Sequence, residues 1–419
     1  MKRILILCSA VAVLFSCVGE DIVPTQDKTG QPEKQQPEQQ QPEEEKPQYP
    51  DAPNPVLGTG LRSVFITCKG QINKDSWVEN GTLWLMDDAG KVYFKESNLS
   101  IQGRGNSTWW SYPKKPYKIK LSAKADLIGH GQSKRYVLLA NYMDRTLLRN
   151  DVAFELARKT SLDWTPSGEF VELYLNGNHL GNYWLGEQVR VEKNRIQADY
   201  LIEMDTYFDE TWKFYSTYGF KPNTNDSRLP ICVKYPDDND LTSAQFQEIQ
   251  SLVAGVEDAI YNGGDYTSKI NLDSFLDWYI VHEVTYNLEP NHPKSSYFHF
   301  DKGVMIAGPV WDFDWFTYQP DTSGFGIPNS IYFKQLFKDA AVKARLKERW
   351  TELKPKFLEV DTYIQQKAEI IRKSDAINNK MWPCNANVNG DDNMSFDQAV
   401  TRMRNALNSR IQELDKLIQ

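Results

Sequence analysis

Two carboxylates two residues apart, Asp312 and Asp314, interrupt an otherwise apolar run, Gly308-Pro309-Val310-Trp311-Asp312-Phe313-Asp314-Trp315. In a strand, residues at that spacing project to one face. Paired acids there are costly unless hydrated or satisfied by a cation, and Mg²⁺ in phosphoryl-transfer sites takes oxygen ligands of this kind. Upstream lies a polar loop, Asn287-Leu288-Glu289-Pro290-Asn291-His292-Pro293-Lys294-Ser295-Ser296-Tyr297. That loop closes a predicted buried helix. Much earlier, Gly103-Arg104-Gly105-Asn106-Ser107-Thr108-Trp109 combines backbone freedom with donors from Arg104, Asn106, Ser107 and Thr108, which suits an anion. The following Tyr117-Lys118-Ile119-Lys120 turns Lys118 and Lys120 to one face, and either could reach phosphates. A helix behind a phosphate-binding strand commonly supplies a carboxylate that holds such a lysine. Glu155, beyond Leu147-Leu148-Arg149-Asn150, and Glu187, in Leu185-Gly186-Glu187-Gln188-Val189, compete for that role. Each feature has a plainer reading when taken singly: a tight turn, a solvated strand face, surface glutamates, a pair of turn acids.

The elements that must position these groups fall into two kinds. Short β-like runs at Ser63–Thr67, Thr82–Leu85, Lys91–Phe94 and Tyr117–Leu121 are separated by glycine and Asp-Asp-Ala-Gly clusters, as in antiparallel strands. A helix is predicted from Asp144 to Arg158, with Leu148, Val152 and Leu156 on one face. Strands return at Phe170–Leu175 and Leu180–Val189, joined through Asn176-Gly177-Asn178, a strong hairpin signal. A second helix is predicted over Asp273–Leu288, capped by Asp273 and stopped by Pro290. Beyond about Tyr332 the pattern is of amphipathic helices, the last over Phe396–Ile418. Strands first and helices later predict an α+β fold.

Composition excludes some partners. The net charge of −8 and the lack of a basic stripe argue against nucleic acid. The start of the chain sets Lys2 and Arg3 before an apolar run, Ile4–Phe15, that ends in Leu14-Phe15-Ser16-Cys17. That is the pattern of a lipoprotein signal peptide, residues 1–16, with Cys17 as the lipidated residue. The run is shorter than the roughly 20 residues a membrane-crossing helix needs. Residues 17–55 read as a tether rich in Gln, Pro and Glu, too poor in apolar groups to fold. The expected location is the cell envelope, lipid-anchored at the outer membrane, and Glu20 and Asp21 resemble the surface-export signal of Bacteroidetes-type lipoproteins. Only Cys68, Cys232 and Cys384 remain after processing, an odd and widely spaced set that suits neither a disulfide scaffold nor a zinc site. Near the end, Asn385-Ala386-Asn387-Val388-Asn389-Gly390-Asp391 mimics a calcium loop, but Phe396 stands where the bidentate Glu belongs, so a turn into the last helix is expected.

The ordered strings Gly-Arg-Gly-Asn-Ser-Thr-Trp, Pro-Lys-Lys-Pro-Tyr-Lys-Ile-Lys, Leu-Leu-Arg-Asn, Leu-Tyr-Leu-Asn-Gly-Asn-His-Leu-Gly-Asn-Tyr and Pro-Val-Trp-Asp-Phe-Asp, over roughly residues 100–316, resemble the CotH (spore coat protein H-like) family of atypical protein kinases. The resemblance implies a divergent protein-kinase-like domain over 56–345 with a helical extension over 346–419. It implies transfer of the γ-phosphoryl group of ATP to Ser or Thr of a protein acceptor, with Mg²⁺ or Mn²⁺. Asp312 matches the family's metal-binding aspartate, with Asp314 beside it. Lys118, or Lys120, falls at the phosphate-pairing lysine, and Arg104 lines the nucleotide site. At the catalytic acid the family has Asp, whereas the best-placed carboxylate of this chain is Glu289, with Asn291 and His292 the nearest groups able to assist a second metal or orient a hydroxyl. Two other readings use the same surface: a catalytically weak adhesin or polysaccharide-associated binder, and a transferase of AMP. The sequence leaves oligomeric state open.

Overall fold

A computed structural model describes residues 53, 58–219 and 228–419; the signal, Cys17 and most of the tether lie outside the described residues. The first half of the described chain builds strands. β1 (Arg62–Thr67), β2 (Val78–Met86), β3 (Val92–Gly103), β4 (Tyr117–Ala125), β5 (Ser133–Leu139), β6 (Gly168–Leu175) and β7 (Asn178–Glu187) form a closed barrel in the order β1-β2-β3-β4-β5-β7-β6. Neighbours pair antiparallel except at the closure, where β1 and β6 run parallel. Alternation decides what fills it: Val64, Leu83, Leu99, Ile119, Leu138 and Leu173 are all buried together inside. The β6–β7 turn has Asn176 at φ 49° and Gly177 at φ 82°, the two left-handed residues that a two-residue hairpin turn requires.

A short helix, α1 (Ser107–Trp110), lies between β3 and β4, and α2 (Arg149–Arg158) lies between β5 and β6. The helix predicted from Asp144 begins five residues later. Asp144 instead closes a turn, accepting the Thr146 and Arg149 backbone N–H groups at 2.8 and 2.7 Å.

The second half mixes a five-stranded sheet with helices. Its strands are β8 (Tyr200–Met204), β9 (Lys213–Tyr215), β10 (Pro230–Tyr235), β11 (Ser296–Asp301) and β12 (Val304–Ala307), in the order β12-β11-β8-β10-β9. The helices are α3 (Ser243–Tyr261), α4 (Leu272–Thr285), the single turn α5 (Phe333–Leu336), α6 (Ala340–Leu358), α7 (Val360–Met381) and α8 (Phe396–Ile418). α4 is the central piece, buried from Ser274 to Thr285. Asn271, not Asp273, caps it by accepting the Ser274 N–H, and Tyr286 at φ 53° ends it before Pro290 is reached. Asp273 is free to pair with Arg345 on α6 at 2.7 Å. The buried acids of α4 are matched from outside: Asp277 by Arg349 of α6 at 2.7 Å and Glu283 by Arg410 of α8 at 2.6 Å. Such pairs add little net stability over apolar packing, but removing one partner strands a charge, so they fix which faces meet. The result is a mixed α+β fold, β-rich first and helical later. No described helix is long and apolar enough to cross a membrane.

Candidate active site

Between the barrel and the second sheet lies a cavity of about 540 Å³. The barrel gives it a basic wall. β3 ends at Gly103, where a Cβ would come within 2.5 Å of the Trp109 ring, so only glycine lets α1 fold back over the strand. Gly105 at φ 78° completes the turn and delivers Arg104 into the cavity, where its guanidinium lies 5.4 Å from the Trp311 ring centre. Burial lowers the Arg104 pKa, and the carboxylate of Asp312 opposes that shift most strongly. On β4, Tyr117 and Ile119 point into the barrel, so Lys118 points out into the cavity. Burial, then the charges of Arg104, Arg135 and Lys234, push Lys118 down to about 8.

The opposite wall is acidic and comes from loops around α4 and the second sheet. The segment after β12 is irregular rather than a strand. Asp312 sits at φ 67°, a left-handed conformation that Asp tolerates better than most residues. Its flanks are pinned: Asn287 Nδ2 donates to the Asp312 carbonyl at 3.1 Å, and the Phe313 N–H donates to Asn150 Oδ1 at 2.7 Å. Ser295 donates to Asp312 Oδ2 at 3.2 Å. Asp314 is buried, and its Oδ1 has no hydrogen-bond partner. Burial and then the adjacent Asp312 raise the Asp314 pKa well above the usual carboxylate range. Glu289, on a single 3₁₀ turn after α4, is raised well above its usual value by burial, then by Asp312 and Asp314.

The cavity therefore collects Arg104, Asn106, Ser107, Lys118, Glu289, His292, Asp312 and Asp314 from the sequence-predicted groups. Four others lie elsewhere. Lys120 is one rung further along β4, opposite Ser100 and Arg135, beyond the end of the cavity. Glu155 pairs with Arg158 at 3.1 Å and Lys159 at 3.5 Å on its own helix. Glu187 faces Arg195 at 3.4 Å and accepts the Ser167 N–H at 3.0 Å. Neither glutamate pairs with Lys118: Glu155 is taken by its own helix, and on the barrel Lys118 lines up with Val137 and Gly186 while Glu187 lies opposite Tyr136. Asn291 turns outward to donate to the Gly326 carbonyl at 3.0 Å.

Among the described residues no group of three or more His, Cys, Asp and Glu side chains is disposed to hold a metal by itself. Mg²⁺ does not need one where substrate phosphates complete its shell, since one or two carboxylates suffice. Asp312 and Asp314, hard oxygen donors with one buried oxygen lacking a partner, fit that smaller demand.

Residues 101–414 match the family model described as CotH kinase protein. The chain belongs to the CotH kinase family. No curated protein matches it. The CotH match extends to residue 414, inside α8.

Several groups of this CotH site escape a motif reading. Lys234 on β10 pairs with Glu203 on β8 at 3.3 Å and with Glu210, and all three line the cavity. Asp205 follows on the same side; burial, then Glu203, push it up to about 7. Lys114 is buried, donating to the Ala140 carbonyl at 2.8 Å, to Asn378 Oδ1 at 2.9 Å and to the Asn182 carbonyl. The sequence signal for Lys234 and Glu203 is faint: each is a single charge within a short apolar run, Pro230–Tyr235 and Tyr200–Met204.

Proposed function

We propose that this CotH family member transfers the γ-phosphoryl group of ATP to a Ser or Thr hydroxyl of a protein. The observation that supports it most is the gathering of Glu289, Asp312 and Asp314 across one cavity from Arg104 and Lys118. Phosphoryl transfer asks for little beyond this: cations that hold phosphates, oxygens that hold a metal ion, and a carboxylate that orients the nucleophile. Asp312 and Asp314 would hold Mg²⁺ or Mn²⁺, which supplies charge neutralisation to the phosphates when bound. Arg104 and Lys118 would grip the phosphate oxygens. The acceptor hydroxyl oxygen forms a bond to the γ-phosphorus, the bond from that phosphorus to the bridging oxygen of ADP breaks, and the hydroxyl proton passes to Glu289. Glu289 must be ionised to accept it. Its pKa is raised chiefly by burial and by two acidic neighbours, and Lys294 is the first resident group that offsets them.

Glutamate in place of aspartate reaches one methylene further, and the 3₁₀ turn that carries it is held by the Asn287 side chain, which accepts the Glu289 N–H at 3.0 Å. In this reading the protein works at the cell envelope, exported and lipid-anchored through Cys17, with residues 17–55 as its tether.

The test is incorporation of label by the folded part, from about Asp51 onward, offered a generic Ser/Thr substrate. Label from the γ-phosphate, lost in Asp312→Ala, is expected. Label from the α-phosphate would show AMP transfer instead, and transfer of neither would leave a binding protein and overturn the kinase reading.

A further inference from the structure

The string Asn385–Asp391, which mimics a calcium loop in sequence, has a different use in the fold. It connects α7 to α8, and its fifth residue, Asn389, is buried with 1% exposure. The two hydrogens of Asn389 Nδ2 are donated to two backbone carbonyls, Asp314 at 2.8 Å and Met143 at 2.9 Å. One of these belongs to the acidic segment of the cavity, and the other precedes the turn that leads to α2. Two residues on, Asp391 pairs with the buried Arg149 at 2.6 Å, and Arg149 also pairs with Asp144. The next residue, Asn150, holds the Phe313 N–H. Asp314 thus hangs between two supports, Asn150 on its N-terminal side and Asn389 on its own carbonyl.

We infer that Asn389 is a positioning residue: through the Asp314 carbonyl, the α7–α8 loop sets the Asp312–Asp314 segment in its working geometry. This inference rests on the phosphotransfer reading for its functional half and on the hydrogen bonds alone for its structural half. An asparagine side chain suits the task because it is rigid, and one nitrogen can donate to two carbonyls that would otherwise be left buried and unpaired. The calcium-like spelling is then a by-product: the Asn-Gly-Asp turn needs a left-handed glycine, and Gly390 has φ 72°. Asp391, a would-be ligand, is already committed to Arg149.

Asn389→Asp keeps the shape and removes both donors, setting an acceptor against two carbonyl oxygens. Trp382→Phe serves as the comparison, because it deletes a hydrogen bond to the Leu180 carbonyl of 2.8 Å at the other end of the same connection, away from the cavity. Two readouts are taken on the folded part at a temperature where all variants remain folded. Amide hydrogen exchange over residues 312–316 should quicken at least 10-fold in Asn389→Asp and stay unchanged in Trp382→Phe. In γ-phosphoryl transfer, kcat should fall about 10- to 100-fold in Asn389→Asp with the KM for ATP within about 3-fold, as expected for misplacement near 1 Å at a reacting centre. Trp382→Phe should keep wild-type kcat. Unchanged exchange over 312–316 in Asn389→Asp overturns the inference whether or not the wild type is active. So does an equal loss of kcat in Trp382→Phe, which would mean that general loosening is responsible. A wild type with no transfer refutes the kinase reading while the exchange result still decides whether Asn389 holds the segment.

Discussion

Replacing Lys118 with methionine should make the empty protein more stable and nucleotide binding weaker. In the empty cavity Lys118 is burdened by burial and by Arg104, Arg135 and Lys234, which together bring it from 10.5 to about 8. A shift of that size corresponds to about 3.4 kcal/mol of penalty on the charged form. Lys118 is half-buried, so solvent screening reduces what folding feels to about 1 kcal/mol. For a folded part of this length that is a rise in Tm of about 1 °C. The sign with pH follows from a folded pKa lying below the unfolded one. The penalty is fully present below about pH 8, is relieved between about 8 and 10.5, and is gone above the unfolded value. The Tm gap between Lys118→Met and wild type should therefore be widest near pH 7 and shrink by pH 9.5. ATP reverses the balance, because charge-assisted bonds to phosphate contribute about 1.5–3 kcal/mol. Loss of them should weaken ATP binding by about 10- to 100-fold, measured by titration calorimetry with Mg²⁺ present. A variant less stable than wild type at pH 7 that binds ATP equally well would refute both the strain and the role.

Asp312→Ala should abolish metal-dependent nucleotide binding while the domain stays folded, since relief of Glu289 and Asp314 offsets the strain of alanine at a left-handed position; retained metal-dependent binding with a large loss of Tm would make Asp312 a turn residue only. Glu289→Asp should lower kcat by roughly 10- to 100-fold with little change in ATP affinity. A rise in turnover there would show instead that the glutamate marks a decayed site. Cys17→Ser should move the protein out of the membrane fraction and block signal removal, checked by fractionation and mass; a variant that stays membrane-bound and lipidated removes the lipoprotein assignment.

What could be read from the sequence was whatever is set locally. The Asn176-Gly177 hairpin and the alternation that separates Ile119 from Lys118 needed only neighbours in the chain, and both appear as expected. The α+β order of elements was legible for the same reason. Failures came where distant groups compete. Asp144 has the composition of a helix cap, yet Arg149 and the tie to Asp391 pull it into a turn. Asp273 looks like the cap of α4, yet Arg345 claims it and Asn271 takes its place. Lys118 and Lys120 share a face, and only the extent of the cavity separates them. Glu155 has the spacing to partner a lysine, but Arg158 and Lys159 on its own helix take it, and it does not line the cavity. Asn150, Asn287 and Asn389 stand inside strings the sequence singles out, yet their task is not legible there, because a single buried amide is defined only by the carbonyls and N–H groups brought to it.

The closure of the barrel bears on where this chain can be cut. The family match begins at residue 101, near the end of β3, so β1, β2 and most of β3 precede it. Yet β1 is the strand that seals the ring, lying between β2 and β6. A polypeptide trimmed to the matched region would lose more than two of seven staves, leaving β4 and β6 with unpaired backbone edges and the apolar lining around Ile119 and Leu173 open to water. Such a fragment should come out of expression as aggregate, and the failure would say nothing about the chemistry of Arg104 or Asp312. Recombinant work on the folded unit has to start ahead of Arg62.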